Sequence, residues 1–253
     1  MMWFNQAKCD IYMGTGAGKK LLHEIGNAQK SVKISSPYLS PKSVEELIWL
    51  HKKGVDVSLI TSDTLKGDYR QERSLKPLIV QHQHLDEKAN YTRNRLISTR
   101  KILKYSSLIL VLLLPVLFYT TNNTMFFMGL PIPMLLYGLS RILKQKAQKM
   151  RIYSYTYSSL FPFKVYIAPD THRINDMFIH GKIYIIDGHT AYLGSLNFTE
   201  SGTKYNYETR VRITDIHAVR KMDTEFEVLY NHESLAFIGI EEWGSFLYSE
   251  PIN

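Results

Sequence analysis

Six side chains between residues 180 and 208 have the types and order that phosphodiester chemistry asks for: His180, Lys182, Asp187, Ser195, Asn197 and Glu208. A neutral imidazole, an ammonium and an amide can converge on one phosphate. A hydroxyl adds a donor, and a late carboxylate closes the series. His180 and Lys182 are two residues apart, so in a strand their side chains leave the same face. Asp187 has the opposite parity, so it is expected to brace the site more than to touch a substrate. Singly, a His or a Lys is more often structural or solvated. The joint spacing is what points to a site.

These residues need particular elements to position them. Phe178 to Ile186, FIHGKIYII, is rich in β-branched and aromatic residues and predicts a strand. Asp187-Gly188 is a turn signal, Ala191 to Gly194 a second strand, and Ser195 to Thr199 the start of a loop or helix whose backbone N–H groups could meet an oxyanion. Upstream, Ile11 to Met13 ends a strand, Lys19 to Gln29 is helical, and Ser31 to Ser36 is a strand. Ser43 to Lys53 is a helix with Ser43 as cap and Glu46 completing a capping box, and Val55 to Ile60 is a strand. This alternation favours an α/β domain with a largely parallel sheet.

The run GTGAGKK from Gly14 falls short of a phosphate-binding loop: three residues, not four, separate its outer glycines, and a second Lys stands where Ser or Thr is needed. It is read as a strand-to-helix turn. Arg70 to Ile97 is polar and helix-compatible, and its His82/His84 pair, lacking further ligands, is read as solvated. Tyr153, Tyr155 and Tyr157 alternate as in a strand or an interfacial belt; Lys164 to Ala168 is a strand, and Pro169 to Asp176 a loop. A single cysteine, Cys9, excludes an internal disulfide and is expected to be buried; MMWFNQAKCD has no secretory pattern.

Charge and hydropathy then pick out one segment. From Lys88 to Pro169 there are twelve Lys and Arg and no Asp or Glu, so the net charge of +8 leaves −4 for the rest of the chain. The count does not describe a uniformly basic nucleic-acid-binding domain. Within this segment Ser106 to Thr121 and Met125 to Ser140 are uncharged apolar runs, each marginal for a span that needs roughly 20 residues. With Ile102, Leu103, Ile142 and Leu143 added, they predict a membrane hairpin of helices at about 102–121 and 125–143. Pro115, Pro131 and Pro133 are tolerated in such helices. Basic residues flank both outer ends, which places both soluble halves in the cytoplasm. The division expected is 1–88, an inserted hairpin at 89–151, and 152–253, with the two outer parts forming one domain.

The pattern His180-x-Lys182-x4-Asp187, then Gly194-Ser195-x-Asn197 and Glu208, resembles the HKD signature of the phospholipase D superfamily. Ala28-Gln29-Lys30 leading into SVKISSPYL, and the later Gly54-Val55 strand, are similar to the family as well. The resemblance implies a phospholipase D-like sandwich of α/β class around a mostly parallel mixed sheet, here with an inserted transmembrane helical hairpin. It implies His180 as nucleophile giving a phosphohistidine, Lys182 and Asn197 on the non-bridging oxygens, Ser195 assisting, and Glu208 accepting from His180 Nδ1. No cofactor or metal is implied. Active sites of this family use two such motifs, and this chain has one, so the resemblance implies a homodimer in which two copies of His180 meet.

The expected activity is that of a membrane-anchored phosphodiesterase, a hydrolase or phosphatidyltransferase acting on membrane phospholipid headgroup esters, multi-pass in the cell (inner) membrane. The alternatives are a membrane-tethered endonuclease acting on nucleic acid and a non-catalytic membrane scaffold.

Overall fold

The computed structural model describes residues 7–63, 73–122, 124–167, 179–233 and 237–253. The expectations for Phe178, Ala168 and the loop Pro169 to Asp176 lie outside them. The chain divides into two compact units, Met1–Gln81 with Tyr157–Tyr248, and His82–Thr156 with Ser249–Asn253.

The first unit is built on a seven-stranded sheet. Its strands are β1 (Cys9–Thr15), β2 (Ser31–Ser35), β3 (Asp56–Asp63), β6 (Phe163–Ile167), β7 (Lys182–Ile186), β8 (Thr190–Gly194) and β9 (Tyr207–Ile213), in the order β1-β9-β8-β7-β2-β3-β6. Only β2–β3 and β3–β6 are parallel; the other four neighbouring pairs are antiparallel. This corrects the expectation of a mostly parallel sheet. Parallel neighbours need a long crossover, and α2 (Pro41–Lys52) supplies one between β2 and β3. The turn at Asp187–His189 and the short α5 (Glu200–Lys204) bring β7, β8 and β9 straight back on themselves. β1, which reads as the first strand of a βαβ series, pairs with β9 instead.

Helices cover both faces of this sheet. Strand alternation puts Val32, Ile34, Tyr184 and Tyr192 on one face, and all four are buried. Tyr192 Oη donates to Glu24 Oε2 of α1 (Gly18–Gly26) at 2.6 Å, and Arg212 Nε to Glu24 Oε1 at 3.0 Å, which fixes α1 there. α2 joins α1 on that side, with Gly26 close to the Glu46 carboxylate. The opposite face carries Ile60, Tyr166, Ile185, Ala191 and Ile213 under Ala218, Val219, Met222 and Phe226 of α6 (Ile216–Tyr230). Each fully buried aliphatic or aromatic side chain of this set contributes about 1.5–3 kcal/mol. Lys33 Nζ closes the edge of this layer on Asp223 Oδ1 and Glu227 Oε1, at 2.6 and 2.8 Å. A last helix, α7 (Ile240–Leu247), packs Gly244 against the ring of Tyr157.

Three local expectations are revised. α2 begins at Pro41 with Ser40 as its cap, because Pro at N1 fixes the start; Ser43, expected as the cap, donates its N–H to Ser40 Oγ at 3.4 Å. Cys9 is exposed on the edge strand and not buried. GTGAGKK is a strand-to-helix turn in which Gly16 takes φ +73°, and a side chain on Gly18 would collide with Thr203 of α5.

The second unit holds the apolar runs. β4 (Ile79–Leu85) and β5 (Tyr153–Ser159), which cross the boundary between the units, form a two-stranded ribbon. Gln83 Nε2 lies 3.3 Å from Tyr155 Oη, and His84 Nε2 2.8 Å from Thr156 Oγ1. Within the stretch read as helix-compatible, Ile79–Leu85 is therefore a strand.

Asp86 accepts from Ala89 N–H at 2.9 Å and caps α3 (Glu87–Thr121), which starts well before the apolar run. α4 (Pro131–Lys149) starts later than expected, after a 3₁₀ turn at Thr124–Gly129, because Pro131 fits the first turn of a helix but not its interior. Among the described residues two spans are long and apolar enough to cross a membrane. Glu87–Thr121 has mean hydropathy 2.1 over its most apolar window and Thr124–Lys149 has 1.5, with only 6% and 12% of those windows buried. So little burial distinguishes them from the core helices of a soluble fold.

Candidate active site

Lys182 opens β7 and pairs with Gly194 at the end of β8, which pairs in turn with Arg210 in β9. The start of β7, the end of β8 and the start of β9 thus meet at one edge of the sheet. β8 and β9 approach so closely there that a side chain on Gly194 would run into the Thr209 carbonyl, and Gly194 sits at φ +157°. The tight approach brings the loop after β8 beside Glu208.

His180 and Gly181 precede the strand, which begins at Lys182, so the expected strand does not include Ile179 to Gly181. His180 is exposed, while Lys182 is only 5% exposed. Their side chains still meet: Lys182 Nζ lies 3.2 Å from His180 Nε2 and 3.3 Å from Nδ1. Burial pulls the Lys182 ammonium below its ordinary value, and the nearby Glu208 charge partly opposes that.

Glu208 is itself buried, and its carboxylate accepts from Ser195 Oγ and, at 3.2 Å, from Asn206 Nδ2. Ser195 Oγ also receives the Thr209 N–H at 3.0 Å, and Ser195 N–H donates to the Thr209 carbonyl at 3.1 Å. The bond from His180 to Glu208 implied by the resemblance is not among those formed; Ser195 and Asn206 occupy the carboxylate.

Asn197 stands two residues further along the same loop, half-buried, and its Oδ1 has no hydrogen-bond partner. An acceptor left buried and unpaired costs about 1–3 kcal/mol unless something else supplies a donor. Tyr184 lies two residues after Lys182 on the same face. Its hydroxyl donates to the Leu196 carbonyl at 2.7 Å, and burial raises its pKa far above the ordinary phenol. Ser36 Oγ accepts from Phe198 N–H at 2.9 Å and donates to the Tyr38 carbonyl at 2.8 Å, which ties the loop to the end of β2.

Asp187 is elsewhere. It ends β7, five residues from Lys182, or about 16 Å at the rise of a strand. Its Oδ1 accepts from Lys30 N–H at 2.7 Å and Ser31 N–H at 3.0 Å, and Gln29 N–H lies 3.1 Å from both oxygens. Burial alone would raise its pKa, but these three donors prevail and hold the carboxyl below its ordinary range. Of the six side chains singled out in the sequence, His180 and Lys182 are in contact, Ser195 and Glu208 are hydrogen-bonded, Asn197 shares the loop of Ser195, and Asp187 caps the entry to β2. Asn206, Tyr184 and Ser36 were not singled out, since an isolated Asn, Tyr or Ser carries no spacing signal.

At this edge, then, an exposed imidazole is backed by a buried ammonium, with a hydroxyl–carboxylate pair and an unpaired amide oxygen on neighbouring strands and their loop. That arrangement can present a nucleophile and positive charge to a phosphate ester.

A family model described as "Cardiolipin synthase, PLD-like domain" matches residues 21–230. A curated relative, the probable cardiolipin synthase YwiE of Bacillus subtilis (strain 168), is 30% identical over 91 residues, which is 36% of this chain and 18% of that protein's length. Among solved structures, NucT from Helicobacter pylori superposes with a TM-score of 0.48 at 13% identity, covering 92% of this chain and 100% of that one. Nuc from Salmonella typhimurium, described as a phospholipase D family member, gives 0.45 at 14% identity, covering 91% and 99%.

Proposed function

The chain belongs to the phospholipase D-like family, and from that premise we propose that it is a membrane-anchored phosphodiesterase that cleaves or transfers phospholipid headgroup esters. The observation that carries this reading is the His180–Lys182 contact at the sheet edge, beside the Ser195–Glu208 pair. A ring nitrogen of His180 attacks phosphorus, a P–N bond forms, and the P–O bond to the leaving alcohol breaks. Lys182 and the Asn197 amide meet the phosphoryl oxygens, and Glu208, held by Ser195 and Asn206, supplies the countercharge to the cations of the site.

The departing alkoxide needs a proton, which a second histidine would give and later take back from the incoming water or alcohol. The sequence carries one such motif, and among the described residues one such histidine stands at the edge, so the active unit is a homodimer with His180 of both copies at one site. The hairpin, with both outer ends basic, anchors the chain and leaves the catalytic unit on the cytoplasmic face of the cell (inner) membrane. Lipid is favoured over nucleic acid because the matching family model and the curated relative both carry the description cardiolipin synthase, and because the two apolar spans would hold the site at a lipid surface.

The test is turnover of phosphatidylglycerol, phosphatidylethanolamine and cardiolipin beside single- and double-stranded DNA and RNA, with His180→Ala as control. Lipid turnover abolished by the substitution is expected. Turnover of nucleic acid alone would replace the lipid reading with a tethered nuclease, and no turnover of any substrate would leave a scaffold.

A further inference from the structure

The hairpin has an unusual groove along its side. On α3, Lys104, Leu108 and Val111 follow one another at helical spacing; on α4, Pro133, Met134 and Tyr137 do the same, and together they line a groove of ≈290 Å³. Its floor is Ser107, buried, whose Oγ donates to the Pro133 carbonyl at 2.8 Å and whose small side chain lets the helices approach. Gly129 sits against Leu114, so the helices run antiparallel with Lys104 and Tyr137 at one end of the groove and Val111 toward the tip.

The groove is therefore basic and hydroxylic at one end and apolar along the rest, over about 10 Å of helix from Lys104 to Val111. Leu108 is 55% and Met134 75% exposed, so the apolar part lies open within this unit. Arg100 and Lys101 lie one turn before Lys104, Arg141 one turn after Tyr137, and there is no Asp or Glu from Lys88 to Pro169 to neutralise them.

We propose that this groove binds an anionic glycerophospholipid, its phosphate held by Lys104 and Tyr137 and one acyl chain lying along Leu108, Val111 and Met134. The proposal rests on the reading that the hairpin lies in a bilayer, and it assigns to the anchor a lipid site separate from the catalytic edge. The charge selects the occupant. A zwitterionic lipid would bring its own cation toward Lys104, and an apolar helix from a second copy would cover the groove but leave the ammonium facing hydrocarbon. An anionic headgroup with a chain satisfies both ends.

The test uses the full chain. Native mass spectrometry from detergent counts lipid retained with phosphatidylglycerol or phosphatidylcholine of the same acyl chains, for wild type, Lys104→Gln, Leu108→Trp and the distant control Lys149→Gln. The expected result is preferential retention of phosphatidylglycerol. It should fall about fivefold or more in Lys104→Gln, the factor one lysine supplies near an anionic surface. Retention should be lost when Trp fills the groove and kept in Lys149→Gln. Equal retention of both lipids, indifference to Lys104, or loss of a dimer mass in the groove variants without loss of lipid would overturn the site. A separate arm asks whether wild type co-sediments with vesicles: failure with vesicles of either lipid sinks the membrane reading itself, whereas co-sedimentation without dependence on Lys104 sinks only the groove.

Discussion

β7 ends in two different ways. At one end Asp187, in a left-handed turn at φ +54°, meets three backbone N–H groups, and its charge is fully used in holding the start of β2. At the other, Lys182 is buried against an exposed imidazole, and Asn197 Oδ1, in the loop after β8, has no hydrogen-bond partner. One short strand thus separates a carboxylate fully paired within the fold from an end where a buried amide oxygen, Asn197 Oδ1, has no partner. The satisfied end should set stability and the unsatisfied end activity, and substitutions at each can show whether the two properties separate.

The largest effect is expected at the unsatisfied end. His180→Ala removes the proposed nucleophile and should lower phosphodiester turnover by at least about 10⁴-fold. Because the ring is exposed, the melting temperature should hardly change. Turnover that survives the substitution would end the division of labour along β7 along with the proposed chemistry. The complementary change, Asp187→Ala, leaves three N–H groups without their carboxylate and should cost about 2–3 kcal/mol of stability, the scale of hydrogen bonds to a charged group. Urea unfolding would measure the loss, and turnover per folded molecule should stay near wild type. A large fall in turnover at unchanged stability would instead put Asp187 into the catalytic machinery.

How much of this was legible in the sequence follows the range of the interactions involved. The site residues lie within 29 positions and are placed by local rules: a two-residue spacing joins His180 to Lys182, a turn begins at Asp187, and Gly194 allows the close approach that brings Ser195 to Glu208. The direction of the strands was not legible, because β1 pairs with β9, some two hundred residues away, and nothing in CDIYMGT names its partner. β4 was missed for a similar reason. IVQHQHL is polar on the face where an isolated strand would need apolar residues, and it is matched by the equally polar YSYTYSS. The apolar runs were visible, but their helix boundaries were set by Asp86 as a cap and Pro131 as a first-turn residue.

A smaller effect should come from the carboxylate that both strands share. Asn206→Ala removes one of the two donors to Glu208 but leaves the Ser195 bond, so the carboxylate keeps a partner and loses its fixed orientation. Turnover should fall about tenfold, the cost of one hydrogen bond to a charged group, and Asn206→Asp should do worse than Ala because it sets two carboxylates together. If Asp rescued what Ala lost, Asn206 would be a spacer and not an orienting donor.

The subtlest distinction lies in pH, and the two ends of β7 should respond with opposite signs. Asp187 titrates below its ordinary 3.8 in the folded protein. Its contribution is present above that value and is lost as pH falls through the folded pKa, because there the unfolded chain binds the proton first. Lys182 titrates below its ordinary 10.5. Below its folded pKa it is protonated in both states, and there its burial costs stability. As pH climbs from its folded pKa toward 10.5 the folded state sheds the proton before the unfolded one, and that cost is relieved. Denaturation followed against pH should therefore show the advantage of wild type over Asp187→Asn shrinking on the acid side, and the stability gap between Lys182→Met and wild type narrowing on the alkaline side. Activity should move the other way at the alkaline limit. Once Lys182 loses its proton it no longer offers positive charge to a phosphate, so turnover should decline below pH 10.5 while the fold gains. A turnover limb and a stability limb that fall together on the alkaline side would mean that Lys182 is paired for stability like Asp187, and that β7 has no unsatisfied end.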